Sequence, residues 1–165
     1  MEVNSLKSIT YGELSFEEVC TKIKEYIKKD LEGIYVISIG TDSQSYGGAT
    51  KMVSVITIVR KSKGGIFFYD IKSLKLIKDL RRKIFAETQY SLELAGRVMQ
   101  FLEKNEVHAA MEVHVDIGES GETKSLIREI AGWVGALGYK CCIKPASYSS
   151  SGIADRLSKR GSIVG

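Results

Sequence analysis

Three apolar segments joined by two short turns constrain the fold of this chain more than any other feature. The first runs through GIYVISIGTDSQ at 33–44, the second is KMVSVITIVR at 51–60, and the third is GIFFYDI at 65–71. They are rich in β-branched and aromatic residues, and the turn-forming sequences YGGA and KSKG separate them. Strands joined by so few residues can only run in opposite directions, so we predict a three-stranded antiparallel meander.

Helical patterns alternate with further strands around this meander. Apolar residues recur at helical spacing from Phe16 to Leu31, behind a capping box formed by Ser15 and Glu18. The remaining patterns are helical at 73–104, 122–137 and 149–160 and strand-like at 110–118 and 139–144, and a break in the basic part of the helix at 73–104 stays open. We therefore predict an α/β fold with a five-stranded mixed sheet. In it, the antiparallel meander is joined by two crossover strands, helices cover both faces, and an extra helix lies at the N-terminus.

Length and composition limit the class of protein. A chain of 165 residues, 44% of them apolar, can bury one core, so we predict a single domain over 1–165 with residues 1–32 as a helical extension packed on it. No apolar run is long enough to span a membrane and the N-terminus lacks a signal-peptide pattern, so we expect a cytoplasmic protein with no membrane partner. Cys20, Cys141 and Cys142 lack metal or disulfide spacing, so we expect neither a disulfide scaffold nor a structural zinc.

Positive charge is concentrated in two runs, within a formal net charge of +4. The sequence IKSLKLIKDLRRK occupies 71–83, and DRLSKRG occupies 155–161. Such runs suit contact with nucleic-acid phosphates, but they are equally typical of a solvated helix face. Composition alone leaves both interpretations open.

Asp42 stands directly after the buried segment 34–39, where an ionised carboxylate costs free energy unless something compensates it. Strand alternation places it on one face with Ser38 and Gly40, whose small size permits close approach of another element. We expect the helix that carries Glu87 to pack against this face and to bring the two carboxylates together.

Three further acids complete a candidate set. Glu87 lies on the inward stripe of its helix, whereas Glu93 is rotated toward solvent; Asp116 ends the strand at 110–118, and Asp155 lies in the first turn of the last helix. Each alone has a structural interpretation, such as the helix dipole for Asp155. Four converging carboxylates, however, repel one another unless they are protonated or bound to cations, and oxygen ligands favour Mg²⁺ or Mn²⁺.

The order of these acids resembles that of the ribonuclease H-like superfamily. More closely, IGTDSQ, AETQYSLELA, EVHVDIGESGETKSLIREIAGWVGALGY and IKPASYSSSGIADRLSK resemble the YkuK family of ribonuclease H-like proteins, over roughly residues 13 to 160. The resemblance implies a nuclease or phosphoesterase that uses two divalent ions about 4 Å apart, and it leaves RNA, DNA, a hybrid or a small phosphoester open as the substrate. One ion would activate the attacking water or hydroxyl, and the other would stabilise the leaving oxygen.

The resemblance also implies roles for individual residues. Asp42 would bridge the ions, Glu87 and Asp116 would hold one, and Asp155 the other. His114, on the strand face of Asp116, either shuttles protons, contacts phosphate, or is a hydrogen-bonded core histidine. Polar residues that flank this site could position a phosphate or satisfy loop hydrogen bonds: Ser43, Gln44, Lys144, Ser147 and Tyr148.

Two other functions compete with this one. The sequence HVDIGESGETKS at 114–125 is close to the P-loop pattern GxxxxGK[ST], but Thr123 replaces the second glycine, and Glu119 and Glu122 add negative charge where phosphates would lie. We therefore expect no nucleotide hydrolysis there and a helix start capped by Ser120 or Thr123 instead. The other alternative is a non-catalytic protein that binds nucleic acid or a partner with this fold, and the full set of acids argues against it.

Overall fold

The computed structural model describes residues 4–144, which form seven strands and three α-helices. The strands are β1 (Ser5–Ser8), β2 (Gly12–Ser15), β3 (Tyr35–Tyr46), β4 (Ala49–Arg60), β5 (Gly64–Lys75), β6 (Ala110–His114) and β7 (Lys140–Cys142). The helices are α1 (Phe16–Lys28), α2 (Leu80–Lys104) and α3 (Ile127–Ala136), and a 3-10 turn at Lys124–Leu126 precedes α3. One mixed sheet has the order β2-β1-β5-β4-β3-β6-β7, in which β6 runs parallel to both β3 and β7.

The predicted antiparallel meander is confirmed. β3, β4 and β5 pair in continuous register, from Tyr35 opposite Arg60 to Tyr46 opposite Ala49 in the first hairpin. The turn of that hairpin consists of Gly47 and Gly48, whose φ angles of 60° and 78° lie where side chains other than glycine are strained. Two residues with positive φ match the right-handed twist of the flanking strands, which explains why this turn closes so tightly.

The sheet has seven strands in the described residues, and the prediction of five is wrong. Residues 5–15 form a hairpin, and β1 adds to the edge of β5 where Lys7 pairs with Tyr69. The predicted N-terminal extension is therefore a hairpin followed by the predicted helix, whose capping box of Ser15 and Glu18 is present. Each four-residue strand buries one leucine, Leu6 or Leu14, which is too little to produce a readable alternation.

The basic run at 71–83 is divided between a strand, a connection and a helix. β5 continues to Lys75 because it stays paired with β4 as far as Ala49, and α2 begins only at Leu80, with Asp79 as its N-cap. The prediction that this helix begins at residue 73 is therefore wrong. The lysines and arginines of the run do not share one helix face.

One face of the sheet carries the main core. Ile39 of β3, Ile56 of β4 and Val113 of β6 share this face and pack with buried residues from all three helices, such as Ile23 and Ile130. The other face carries a smaller apolar group. In the described residues, therefore, the helices cover one face of the sheet rather than both, and the helix predicted at 149–160 lies outside those residues. None of the helices described here is long and apolar enough to cross a membrane.

Candidate active site

A cleft opens where β6 ends before its neighbour β3. The parallel pairing of the two strands stops at Gly40 and His114, whereas β3 continues to Tyr46. Asp42 lies in this unpaired stretch of the β3 edge, buried and opposite Val53 of β4. Asp42 therefore lies within β3, and the prediction that it lies at the end of the strand is wrong. The early end of β6 leaves space beside the Asp42 carboxylate.

α2 docks on β3 through hydroxyl groups. Thr41 Oγ1 lies 2.8 Å from Ser91 Oγ of the helix, and Ser43 Oγ donates to Glu87 Oε2 at 2.6 Å. Thr41 and Ser43 alternate with Asp42, so they lie on the opposite face of the strand. The prediction that the helix packs on the face of Ser38, Gly40 and Asp42 is therefore wrong. The two carboxylates instead approach each other around the open edge of β3.

Glu87 is a buried acid of the cleft with a strongly raised pKa. Its side chain is buried, and among the described residues its Oε1 atom has no hydrogen-bond partner. Burial raises the pKa of Glu87 to about 8; the hydrogen bond from Ser43 opposes this shift, and the charges of Asp42 and Asp116 reinforce it. A buried carboxyl with one unsatisfied oxygen is stabilised by a proton or by a cation.

Asp116 enters the cleft two residues beyond the end of β6. Its Oδ1 atom lies 2.9 Å from the Nζ atom of Lys144. The backbone N–H of Lys144 donates to the carbonyl of Ile117 at 2.8 Å, which holds the lysine beside the acid just after β7 ends. Lys144, predicted to bind substrate, here compensates the charge of Asp116.

The cleft has a volume of about 470 Å³ and brings together three of the four predicted acids, Asp42, Glu87 and Asp116. Its other polar lining residues are Ser43, Gln44, Lys83, Lys144 and the loop residues Ser120, Glu122 and Thr123. Glu93 is exposed, as predicted. Asp155, Ser147 and Tyr148 lie outside the described residues, so their roles stay predictions.

Comparison with known proteins identifies the family of this chain. The family model described as Ribonuclease H-like matches residues 18–159. The chain is 32% identical over 164 residues to the uncharacterized protein YkuK of Bacillus subtilis, a match that covers 92% of this chain and 95% of that protein. This chain belongs to the YkuK family of ribonuclease H-like proteins. No solved structure gives a significant match to this chain.

The loop that resembles a P-loop borders the cleft of this YkuK-family chain. Thr123 Oγ1 accepts a hydrogen bond of 3.2 Å from the backbone N–H of Gly118, so this side chain closes the loop and does not cap the helix that follows. A three-residue 3-10 turn follows, from Lys124 to Leu126, and leads directly into α3. Thr123, which stands where a P-loop has its second glycine, is thus part of the contacts that close this loop.

His114 occupies different surroundings from those of the three acids. It is 3% exposed, is not among the residues that line the cleft, and places its Nε2 atom 3.5 Å from Glu112 Oε1. Burial lowers the pKa of His114, against the opposing effect of Glu112, so its imidazole is neutral near pH 7. The catalytic role for His114 stays a prediction.

Cys142 completes a second cluster of polar side chains. Its Sγ atom lies 3.6 Å from the same Glu112 oxygen, and burial, with the negative charge of Glu112 adding to it, raises the pKa of this thiol to about 11. This cluster was not predicted from the sequence. Alternation shows that Glu112 and His114 share a strand face, but only the pairing of β6 with β7 places Cys142 beside them.

Proposed function

We propose that this chain is a divalent-metal-dependent phosphodiesterase that cleaves nucleic acid. The observation that carries the proposal is the convergence on one cleft of Asp42 from β3, Glu87 from α2 and Asp116 from the segment after β6. The membership of the chain in a ribonuclease H-like family supports it. Fold alone does not carry function, so the proposal depends on the carboxylates.

The donor set of the cleft fits a hard cation. Its three acids offer only oxygen atoms, which Mg²⁺ and Mn²⁺ prefer, and the unsatisfied Oε1 atom of Glu87 is a ligand position that the described residues do not use. We propose Asp42, Glu87 and Asp116 as ligands, and Asp155 as a fourth from outside the described residues. When bound, such ions lower the pKa of a water molecule and stabilise the charge that develops on a phosphate.

The residues around the acids have complementary roles in this proposal. Ser43 holds the Glu87 carboxylate at one oxygen, which leaves the other directed to an ion. Lys144 compensates Asp116 while the site holds no cation, and its ammonium would move to a substrate phosphate once a cation takes its place. Lys83 and Gln44 line the same cleft and would contact the nucleic-acid backbone.

A second candidate is a protein that binds nucleic acid without cleaving it. The ion pair between Asp116 and Lys144 favours it, because a lysine that neutralises a ligand competes with the metal. RNA, DNA and hybrid substrates all fit a site that contacts the phosphate backbone.

Cleavage assays separate the two candidates. Labelled single-stranded, duplex and hybrid oligonucleotides are incubated with Mg²⁺, Mn²⁺ or Ca²⁺, and we expect cleavage with the first two ions only. The Asp42→Asn and Asp116→Asn variants should lose activity by orders of magnitude but retain binding, whereas Glu93→Gln on the exposed side of α2 should cut normally. Cleavage that survives both asparagine variants would contradict the proposal. Binding without cleavage in every condition would favour the second candidate.

A further inference from the structure

Glu112, His114 and Cys142 are brought to one face of the sheet by the pairing of two parallel strands. β6 and β7 are in register, so that Glu112 pairs with Lys140 and His114 with Cys142. Paired residues on neighbouring strands project to the same face, and Glu112 precedes His114 by two positions on its strand. The strand register alone therefore places Glu112, His114 and Cys142 next to one another, whatever their side-chain rotamers.

The distances from Glu112 Oε1 to the other two ligand atoms match those in a tetrahedral metal shell. The Glu112 Oε1 atom lies 3.5 Å from His114 Nε2 and 3.6 Å from Cys142 Sγ, and all three ligand atoms lie within 4.8 Å of one another. Metal–ligand bonds of about 2.0–2.3 Å at a tetrahedral zinc place neighbouring ligands about 3.3–3.8 Å apart. Both distances from Glu112 Oε1 fall in that interval.

The donor types distinguish this cluster from the carboxylate cleft. One sulfur, one imidazole nitrogen and one carboxylate oxygen suit Zn²⁺, whereas the oxygen-only cleft suits Mg²⁺ or Mn²⁺. We propose that Glu112, His114 and Cys142 form a binding site for Zn²⁺ or a similar borderline-soft transition metal, independent of the proposed nuclease site. The site supplies three protein ligands and leaves a fourth position for water or an added ligand.

The surroundings of the cluster suit a bound ion. His114 and Cys142 are buried, whereas the Glu112 side chain is about one-fifth exposed and provides the route from solvent. Lys140 Nζ lies 3.9 Å from Glu112 Oε2, so the lysine pairs with one oxygen while the other faces the histidine and the cysteine. The positive charge stays at the rim of the site.

An ion at this site would hold together the two strands that deliver residues to the cleft. The segments that follow β6 and β7 stay hydrogen-bonded to each other. The backbone N–H of Val115 donates to the Cys142 carbonyl at 2.9 Å, and the backbone N–H of Lys144 donates to the Ile117 carbonyl at 2.8 Å. Asp116 and Lys144 lie on these extensions. The ion would therefore stabilise the base of the segment that positions them.

Titration of the metal-free full-length protein with Co²⁺ tests the proposal, because a cobalt–thiolate bond gives an intense near-ultraviolet charge-transfer band. We expect one equivalent to bind with this band and Zn²⁺ to displace it. Cys142→Ser should abolish the band and weaken binding by about 100-fold or more. Glu112→Gln should keep the band and weaken binding, which provides a second variant if the serine protein folds poorly by circular dichroism.

Two variants serve as controls. Cys141→Ser changes the adjacent cysteine, which packs toward the main core on the opposite face, and it should leave both the band and the affinity unchanged. Asp42→Asn should also leave them unchanged, so failure of the nuclease proposal would not affect this result. Absence of stoichiometric binding, or a band that persists in Cys142→Ser, would overturn the proposal, as would Glu112→Gln protein that titrates like the wild type.

Discussion

The hydroxyl of Ser43 donates a 2.6 Å hydrogen bond to the Glu87 carboxylate and so joins β3 to α2 at the wall of the cleft. Asp42, the residue before it, projects from the other face of the same strand. Two consecutive residues of one strand therefore serve the cleft in different ways. One supplies a carboxylate, and the other orients the carboxylate of a different element.

Removal of this hydroxyl should weaken metal binding. In Ser43→Ala, Glu87 loses its bonded partner, so we expect a stability loss of about 1–2 kcal/mol and a smaller rise in melting temperature on addition of Mn²⁺. Ser45→Ala is a matched control, because Ser45 lies on the same strand face and bonds to Thr50 and the Ile77 carbonyl instead. It should reduce stability without changing the Mn²⁺ effect. Equal Mn²⁺ effects in both variants would argue against the orienting role of Ser43.

The contribution of Glu87 to the stability of the metal-free protein should fall as pH rises from about 4.5 to about 8. The pKa of Glu87 is raised to about 8, so over this interval the folded state retains a proton that the unfolded state has released. Stability from this group is full below the unfolded pKa and is lost as pH passes the folded pKa. Glu87→Gln should remove a contribution on the order of a few kcal/mol to this decline.

Urea unfolding in a chelator at several pH values measures this effect. Both proteins retain His114, so the pH dependence of that group cancels in the comparison. Glu93→Gln should keep the wild-type decline, because this side chain is exposed. Parallel pH profiles for wild type and Glu87→Gln would disprove the assignment of the decline to Glu87.

Mg²⁺ or Mn²⁺ should stabilise the folded chain, because a ligand that binds only the native state shifts the folding equilibrium. At a concentration 100 times the dissociation constant, the gain is about 2.7 kcal/mol, or about 5–10 °C in melting temperature. At a pH above about 8, where Glu87 is ionised, Asp42→Asn should raise the melting temperature without metal, since repulsion with Glu87 is relieved, and should reduce the metal-induced shift. Thermal scans with and without metal measure both effects, and a full shift in Asp42→Asn would exclude this acid as a ligand.

Binding of nucleic acid should depend on Lys83 more than on Arg81. Lys83 lines the cleft, whereas Arg81 makes two hydrogen bonds of 2.8 and 2.9 Å to the Glu129 carboxylate, which compensates its charge. Lys83→Gln should weaken binding and reduce the slope of log affinity against log salt concentration by about 1, the value for one phosphate contact. Fluorescence anisotropy at several salt concentrations provides the measurement. No binding to any oligonucleotide at low salt, or a larger effect from Arg81→Gln, would refute this prediction.

Local patterns in the sequence determined much of the fold. The Gly47–Gly48 turn and the β-branched segments around it produced the meander, because hairpin pairing depends on residues adjacent in the chain. The Ser15 capping box and the apolar spacing after it predicted α1 for the same reason. The order of Asp42, Glu87 and Asp116 in these elements was enough to propose that they meet.

Only the tertiary structure decided how distant segments fit together. The strands at Ser5–Ser8 and Gly12–Ser15 are too short to show a period, and they exist because they pair with each other and with β5. The face of β3 on which α2 docks depends on contacts such as the hydrogen bond between the hydroxyls of Thr41 and Ser91. The proximity of His114 to Cys142 depends on the register of β6 against β7. Sequence periodicity specifies which face of an element is apolar, but register and docking arise from long-range packing that no single segment encodes.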